Sequence, residues 1–153
     1  MEHPFFPLFV DLSEKNVLVV GAGHIASRRA AAILPFAGRV TVVAPEVSPS
    51  LEELADGGRI ALLRRGFQPE DLEDAQLVLT ATGDSELDKT VVTLCRERHI
   101  PVNAASDKTL CDFHFPGLAR RENIVVGVNA GGTDHKAARP VTEKIREFLR
   151  NDD

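Results

Sequence analysis

A run of small residues follows an apolar segment and has the spacing of a phosphate-binding turn. Residues 17–20 are apolar, and Gly21, Gly23 and Ala26 then give the pattern G-x-G-x-x-A. The first glycine of such a pattern permits a tight turn, the second lets the backbone approach a pyrophosphate, and the third small residue lets a helix pack on the strand. A generic strand-turn-helix corner is the alternative. Because an apolar strand precedes the turn and a helix follows it, we predict a dinucleotide site.

The predicted cofactor site extends to the start of this helix and to the tips of neighbouring strands. His24 would approach the cofactor through its backbone, while Ala44 and Pro45 at the tip of the second strand would face the adenosine. Glu46 lies slightly late for the acid that usually holds the ribose, and no arginine stands at that tip to receive a 2′-phosphate. We therefore expect NAD rather than NADP. The predicted cofactor-binding residues are Gly21, Ala22, Gly23, His24, Ile25, Ala44, Pro45 and Thr82.

The elements that must position this site alternate between strands and helices. Short apolar runs bounded by Gly or Pro predict strands buried on both faces. These runs are residues 17–20, 40–43, 60–63, 77–81 and 100–103, and helices are predicted at 24–34, 49–55 and 86–98. The order β-α-β-α-β-β-α-β predicts an α/β fold, Rossmann-like, with a mainly parallel sheet and helices on both faces.

The last third of the chain does not continue the alternation of strand and helix patterns. Residues 104–122 show few regular signals, and residues 123–132 predict a strand that runs into a glycine turn. Residues 134–150 predict a charged amphipathic helix. Its predicted apolar stripe consists of Val141, Ile145, Phe148 and Leu149. This region therefore predicts a short C-terminal strand-helix segment and not another strand-helix-strand unit.

Composition and charge limit the classes of protein to which the chain can belong. The 153 residues carry a formal net charge of −5 and include 43% hydrophobic residues, which is typical of soluble globular proteins and unlike general nucleic-acid binders. Cys95 and Cys111 are far apart and show no zinc spacing, which favours a reduced, cytoplasmic protein. No apolar run approaches the roughly 20 residues that span a bilayer, and the N-terminus lacks the positive region of a signal peptide. We expect neither a membrane nor a nucleic acid as partner.

Four segments, in order, resemble the precorrin-2 dehydrogenase family, which includes the N-terminal NAD-binding part of siroheme synthases. They are residues 6–34, 40–46, 71–91 and 111–132, and the segment beginning CDFHFP is the most specific. The resemblance implies an NAD-dependent oxidoreductase that converts precorrin-2 to sirohydrochlorin in siroheme (porphyrin) biosynthesis. It also implies a homodimer, with residues 1–112 as the Rossmann domain and residues 113–153 as a dimerisation segment. We expect the third, helical domain of the family to be absent.

The resemblance also implies where the catalytic groups lie. In the family, an aspartate follows the asparagine of the fifth strand, here Asn103, by two or three residues. Aligned on residues 111–113, that position is Ser106, and Asp107 is its neighbour. Because a serine cannot act as a carboxylate base at neutral pH, Asp107 is the candidate proton acceptor and Ser106 the second catalytic candidate. The substrate would lie over the nicotinamide, between the first domain and the dimerisation segment.

An anionic tetrapyrrole such as precorrin-2 needs cationic partners, and arginine offers the forked geometry that carboxylates bind. The candidates are Arg28, Arg29, Arg120, Arg121, Lys136 and Arg139. His114 and His135 lack metal-ligand spacing, so we predict no metal site and interpret them as ordinary polar or packed side chains. Cys95 is interpreted as a core residue, and a redox or ligand role for Cys111 is the less favoured interpretation.

Three alternatives stay open. The family pattern is altered at Ser106, at residues 129–130 and at residues 134–135, which would suit a non-catalytic NAD- or tetrapyrrole-binding module. A bifunctional dehydrogenase and ferrochelatase is the second alternative. A regulatory NAD-binding domain like those of ion-transport systems is the third, although it does not explain residues 111–116.

Overall fold

The computed structural model describes residues 3–131 and 135–151, with only the backbone described at His135. It divides into two compact units, Val10–Phe113 and a second unit made of Met1–Phe9 with His114–Asp153. The resemblance implies that residues 1–112 form the first domain, whereas the described residues 3–9 group with the second unit. One reason is a ring contact within that unit, because Phe5 stacks on His114 with ring centroids 4.1 Å apart.

The first unit is built on a five-stranded parallel sheet with the order β3-β2-β1-β4-β5. The strands are β1 (Asn16–Val20), β2 (Arg39–Val43), β3 (Ala61–Leu63), β4 (Leu77–Thr80) and β5 (Val102–Ala104). The helices are α1 (His24–Ile33), α2 (Pro49–Asp56) and α3 (Ser85–Glu97), with short 3-10 helices at Pro69–Leu72 and Lys108–Leu110. The predicted α/β fold with a parallel sheet is confirmed, with strand ends shifted by one or two residues.

Burial explains why the apolar runs form strands. Val17, Val19 and Val20 in β1 are all buried, as are Val78 and Leu79 in β4. A central parallel strand is covered by helices on both faces, so both of its alternating rows of side chains leave water. The β-branched residues that dominate these strands also suit the pleated backbone. β1 and β4, the pair next to the predicted turn, are therefore part of the sheet core.

The second unit is a two-stranded antiparallel hairpin with one helix. The hairpin consists of β6 (Gly117–Arg121) and β7 (Ile124–Val128), and the helix is α4 (His135–Asn151). The predicted C-terminal strand-helix segment is confirmed, with one strand more than the sequence pattern predicts. The missed strand, β6, ends in two arginines and buries only Ala119 fully, so it lacks an apolar run. Its turn is formed by Glu122 and Asn123, with Glu122 in the left-handed region at φ +52.

The buried face of α4 also differs from the predicted stripe. Val141 and Phe148 are 48% and 66% exposed, whereas Thr142 and Leu149 are 4% and 9% exposed. Thr142 packs against Gly117, which has no side chain. A Cβ at Gly117 would clash with the Thr142 hydroxyl. A side chain of α4 also bonds to the hairpin, since Arg146 Nε donates to the Leu118 carbonyl of β6 at 2.8 Å. The prediction is therefore right for Leu149 and wrong for Val141 and Phe148.

None of the described helices combines the length and the apolar character needed to cross a membrane.

Candidate functional site

The strand order creates a crevice at the carboxyl edge of the first unit. β1 lies between β2 and β4, so the chain leaves β1 toward one side of the sheet and leaves β4 toward the other. Ligands of open α/β sheets bind outside the carboxyl ends of the strands at such a switch point. The loops that follow the strands at this edge are residues 21–23 after β1, 44–48 after β2, 81–84 after β4 and 105–107 after β5.

Gly21 makes the turn after β1 possible. Its φ is +110, a conformation that side chains with a Cβ rarely adopt, and a Cβ there would contact the backbone carbonyl of Ala81. Its amide also donates to the Val43 carbonyl at 3.0 Å. The turn is thus held between the ends of β2 and β4, where only glycine fits.

Gly23 has a different environment, because it caps α1 and faces open space. Its φ is −79 and its ψ is −164, and nothing lies within 4 Å of a Cβ built on it. The first turn of α1 contains no acidic residue, and the first N–H groups of a helix have no partner within the helix. These groups and the positive end of the helix dipole fit a phosphate. The residues present therefore fit a dinucleotide, and His24 and Ile25 are exposed in the first turn of the helix.

The loop after β2 is tied back to this turn. Ala44 is buried while Pro45 and Glu46 are exposed. The Ser48 amide donates to the Ala22 carbonyl at 3.3 Å, and the Ser48 hydroxyl lies 2.7 Å from the hydroxyl of Ser27. The sequence pattern does not predict Ser27 and Ser48 as site residues. The position of Ser48 directly before Pro49, where a helix cap stands, is the signal that points to it.

The loop after β4 carries Thr82, which is half-buried. Its backbone N–H and its hydroxyl both donate to Asp88 Oδ1, at 3.3 Å and 2.9 Å. The carboxyl group of Asp88 is fully buried. Sequence reasoning does not single out Asp88, because its charge suits an exposed helix position as well as a buried one.

Asp107 and Ser106 follow β5 at the same edge of the sheet. Asp107 is the cap of the 3-10 helix Lys108–Leu110, and its Oδ1 accepts from the Thr109 hydroxyl at 2.6 Å and the Thr109 amide at 2.9 Å. These bonds, the hydroxyl bond first, lower the pKa of the Asp107 carboxyl. Asp107 is therefore ionised at neutral pH but is a weaker base than an ordinary aspartate. Ser106 is exposed beside it.

Arg29 and Arg121 form hydrogen bonds within their own units. Arg29 donates to the buried Asn103 Oδ1 at 2.5 Å, and burial lowers the pKa of its guanidinium. Asn103 also donates a hydrogen bond from its Nδ2 to the Phe113 carbonyl at 2.8 Å. Arg121 donates to the Leu149 carbonyl at 3.0 Å. The exposed candidates are Arg28, Arg120, Lys136 and Arg139.

The cysteines and histidines have structural surroundings. Burial raises the pKa of the Cys95 thiol to about 12, so this thiol is an inert core group, as predicted. Burial also raises the pKa of Cys111, whose sulfur lies 3.2 Å from the Ala104 amide and carbonyl. His114 stacks on Phe5. Among residues 3–131 and 135–151, no group of three or more His, Cys, Asp or Glu side chains is placed to hold a metal ion.

The altered family positions are only partly within the described residues. Asn129 is exposed and Ala130 is half-buried after β7. Asp134 and the His135 side chain lie outside the described residues.

Residues 8–117 match the family described as "Putative NAD(P)-binding". The siroheme synthase of Thioalkalivibrio sulfidiphilus is 39% identical over 145 residues, which is 95% of this chain and 30% of that protein. The siroheme synthase of Pseudoalteromonas atlantica is 35% identical over 145 residues, which is 95% of this chain and 31% of that protein. The chain thus spans less than a third of the length of these relatives.

Among solved structures, the chain is similar to one described as SirC, precorrin-2 dehydrogenase. The TM-score is 0.77 at 26% identity, and the match covers 95% of this chain and 74% of that one. These comparisons confirm the predicted resemblance, the Rossmann-like fold and the nicotinamide dinucleotide as cofactor. The individual cofactor contacts and the roles of Asp107 and Ser106 stay predictions.

The two glycines of the turn give a matched pair of variants. Gly21→Ala forces a Cβ against the Ala81 carbonyl at a positive φ, and we expect it to lower the free energy of unfolding by at least about 2 kcal/mol. Gly23→Ala meets nothing, and we expect a change within about 1 kcal/mol. Its methyl group would fill the phosphate space, so NAD+ should bind at least about tenfold more weakly.

Denaturant unfolding and calorimetric titration with NAD+ measure the two effects separately. A Gly23→Ala variant with the affinity of the parent protein would show that the space in front of Gly23 does not take the phosphates.

Proposed function

The chain belongs to this NAD(P)-binding family, and from that premise we propose that it is an NAD-dependent dehydrogenase that oxidises precorrin-2 to sirohydrochlorin in siroheme synthesis. The observation that carries the proposal is the open phosphate space at Gly23, at the start of α1 and beside the switch point. Two likenesses support the substrate: SirC is described as a precorrin-2 dehydrogenase, and the relatives are siroheme synthases.

The reaction removes two hydrogens from the substrate as a hydride and a proton. NAD+, when bound, supplies the hydride acceptor. The chain's own part begins with binding, in which the backbone of residues 21–23 and the first N–H groups of α1 hold the phosphates. Ala44 and Pro45 would contact the adenosine, and Thr82 would line the β4 side of the crevice. The exposed Glu46 carboxylate would repel a 2′-phosphate, which favours NAD over NADP.

Asp107 is the proposed proton acceptor. Its carboxylate follows β5 at the crevice edge, and the bonds from Thr109 keep it ionised at neutral pH. Ser106, exposed next to it, would donate a hydrogen bond to the substrate. The acidic substituents of a tetrapyrrole need exposed cations, and Arg28 on α1 offers one in the first unit. Arg29 is not proposed for this role, since Asn103 already accepts from it.

Turnover of precorrin-2 is the primary test. Purified protein is mixed with precorrin-2 and NAD+ without oxygen, and NADH and the sirohydrochlorin spectrum are followed together. We expect the two products to form in equal amounts, because one hydride leaves for each substrate oxidised. Gly23→Ala serves as the control, since it should need more NAD+ to reach the same rate. NAD+ binding without turnover would overturn the dehydrogenase and support the non-catalytic module.

The Asp107→Asn variant separates the proposed role of Asp107 as a base from its role as a helix cap. The amide oxygen can still accept from Thr109, so the short helix keeps its cap, but an amide accepts no proton. We expect kcat to fall about 100-fold, with the Kd for NAD+ unchanged. In the parent protein, kcat should be lost only as the pH falls through the Asp107 pKa, which lies below the ordinary aspartate value. An Asp107→Asn variant with the parent kcat would remove Asp107 from the reaction.

The proposal includes a homodimer formed through the second unit. That unit exposes several large apolar side chains, which is unusual for a surface in water. They are Phe5, Phe6, Leu8, Phe9, Ile124, Val141 and Phe148. Val141 and Phe148 are seven residues apart and therefore lie on one face of α4. A second copy of the chain is the proposed cover for this face.

Phe148→Glu tests the dimer, with Lys144→Glu as the matched control on the same helix. We expect sedimentation to show a dimer for the parent protein and for Lys144→Glu. Phe148→Glu should sediment as a monomer, because a carboxylate would be buried without a partner. A parent protein that is monomeric at micromolar concentration, or a Phe148→Glu variant that stays dimeric, would contradict this interface.

A cytoplasmic location belongs to the same proposal. Cys95 and Cys111 are free thiols, and the Cys95 thiol is buried in the core. Free thiols are typical of proteins kept in a reducing compartment.

A further inference from the structure

A fully buried carboxyl group lies under the loop that follows β4. Asp88 is in the first half of α3, and its side chain is 0% exposed. Aspartate is almost never fully buried unless it is paired, because removing its charge from water is costly. Among the residues that the structure describes, the side chain of Asp88 accepts hydrogen bonds from two threonines, Thr80 and Thr82, and from no cation. A side chain with this cost calls for a specific role.

The hydrogen bonds of Asp88 are concentrated on one of its two oxygens. Oδ1 accepts from the Thr80 hydroxyl at 2.6 Å, the Thr82 hydroxyl at 2.9 Å and the Thr82 amide at 3.3 Å. Oδ2 is buried without a hydrogen-bond partner among the described residues. The group therefore acts as an acceptor for the loop through a single atom.

The two threonines differ in what fixes them. Thr80 is the last residue of β4 and is paired with Val20 and Ala104 in the sheet, so the sheet positions its backbone. Thr82 lies beyond the strand and forms hydrogen bonds with Asp88 and the neighbouring Asp84. Asp88 is therefore needed for the loop much more than for the strand.

This loop forms one wall of the switch-point crevice. Ala81 donates to the Val20 carbonyl at 2.9 Å, and its own carbonyl is the group that leaves no room for a Cβ at Gly21. Thr82 comes directly after this contact. A shift of Thr82 would therefore move the wall that lies against the phosphate-binding turn.

A purely structural role is the competing interpretation. Asp88 could stabilise the junction of β4 and α3, and the positive end of the helix dipole would favour a carboxylate near the start of α3. Asp84 already caps this helix by accepting from the amides of Glu86 and Leu87. The N-terminus of α3 is thus capped without Asp88. The hydrogen bonds of Asp88 to Thr82 are therefore better explained by a role in positioning the loop.

We propose that Asp88 is a positioning residue for the dinucleotide, because its Oδ1 holds Thr82 in place against the phosphate-binding turn. The inference rests on the proposed NAD binding of this chain. Asp88 would not touch the cofactor itself. Its effect reaches the cofactor through the position of the loop.

The test compares NAD+ affinity with thermal stability in four proteins. Asp88→Ala removes the acceptor, Asp88→Asn keeps an oxygen in its place, and Thr80→Val removes one donor to the same oxygen without freeing the loop. Calorimetric titration with NAD+ gives Kd, and thermal unfolding gives Tm. We expect Asp88→Ala to raise Kd about tenfold, while Asp88→Asn stays within about twofold of the parent protein. Thr80→Val should lower Tm and leave Kd unchanged.

A lower Tm for Asp88→Ala with an unchanged Kd would overturn the proposal and leave Asp88 a structural residue. An equal rise of Kd in Thr80→Val would overturn it too, because the effect would not pass through Thr82. If Asp88→Ala does not fold, Asp88→Ser, which keeps a polar atom in the buried space, is measured with the same two outcomes. A parent protein that does not bind NAD+ would overturn the proposed function together with this inference, whereas the other outcomes leave the proposed function intact.

Discussion

The close approach of Gly21 to the Ala81 carbonyl is the contact on which the first unit depends. β1 and β4 are neighbours with Val20 opposite Thr80, so the chain leaves both strands at the same place. The two loops can pack this closely only if one of them has no side chain at the contact. Gly21 at φ +110 is that residue. The crevice between the loops, and the free N–H groups at the start of α1, follow from that packing.

The first unit could be predicted because its signals are local. Each apolar run reports burial on both sheet faces, and the glycine spacing reports a steric need at the turn itself. The second unit gives weaker signals. β6 reads Gly-Leu-Ala-Arg-Arg and has no apolar alternation. In α4, Phe148 is exposed, whereas Thr142 is buried because Gly117 in the hairpin leaves space for its side chain. No pattern within the helix carries that information.

The supporting residues of the site could not be predicted for a similar reason. Ser27 and Ser48 are 21 residues apart in the chain, yet their hydroxyls are 2.7 Å apart in the fold. Asp88 resembles any charged residue of an exposed helix face until the fold brings Thr80 and Thr82 into contact with it. A sequence motif describes the groups that meet the ligand, whereas the groups that hold them in place depend on tertiary contacts.

Asp88 and Asp107 both accept from threonines, Asp88 from Thr82 in the loop after β4 and Asp107 from Thr109 in the 3-10 helix that follows β5. For Asp107 this bonding lowers the pKa and weakens the carboxylate as a base. A weak base suffices for the proposed reaction. Once hydride has left, the substrate carries a new positive charge, and the remaining proton becomes much more acidic. The structural role of Asp107 is therefore compatible with proton transfer, because the difficult step is the hydride transfer that the cofactor site prepares.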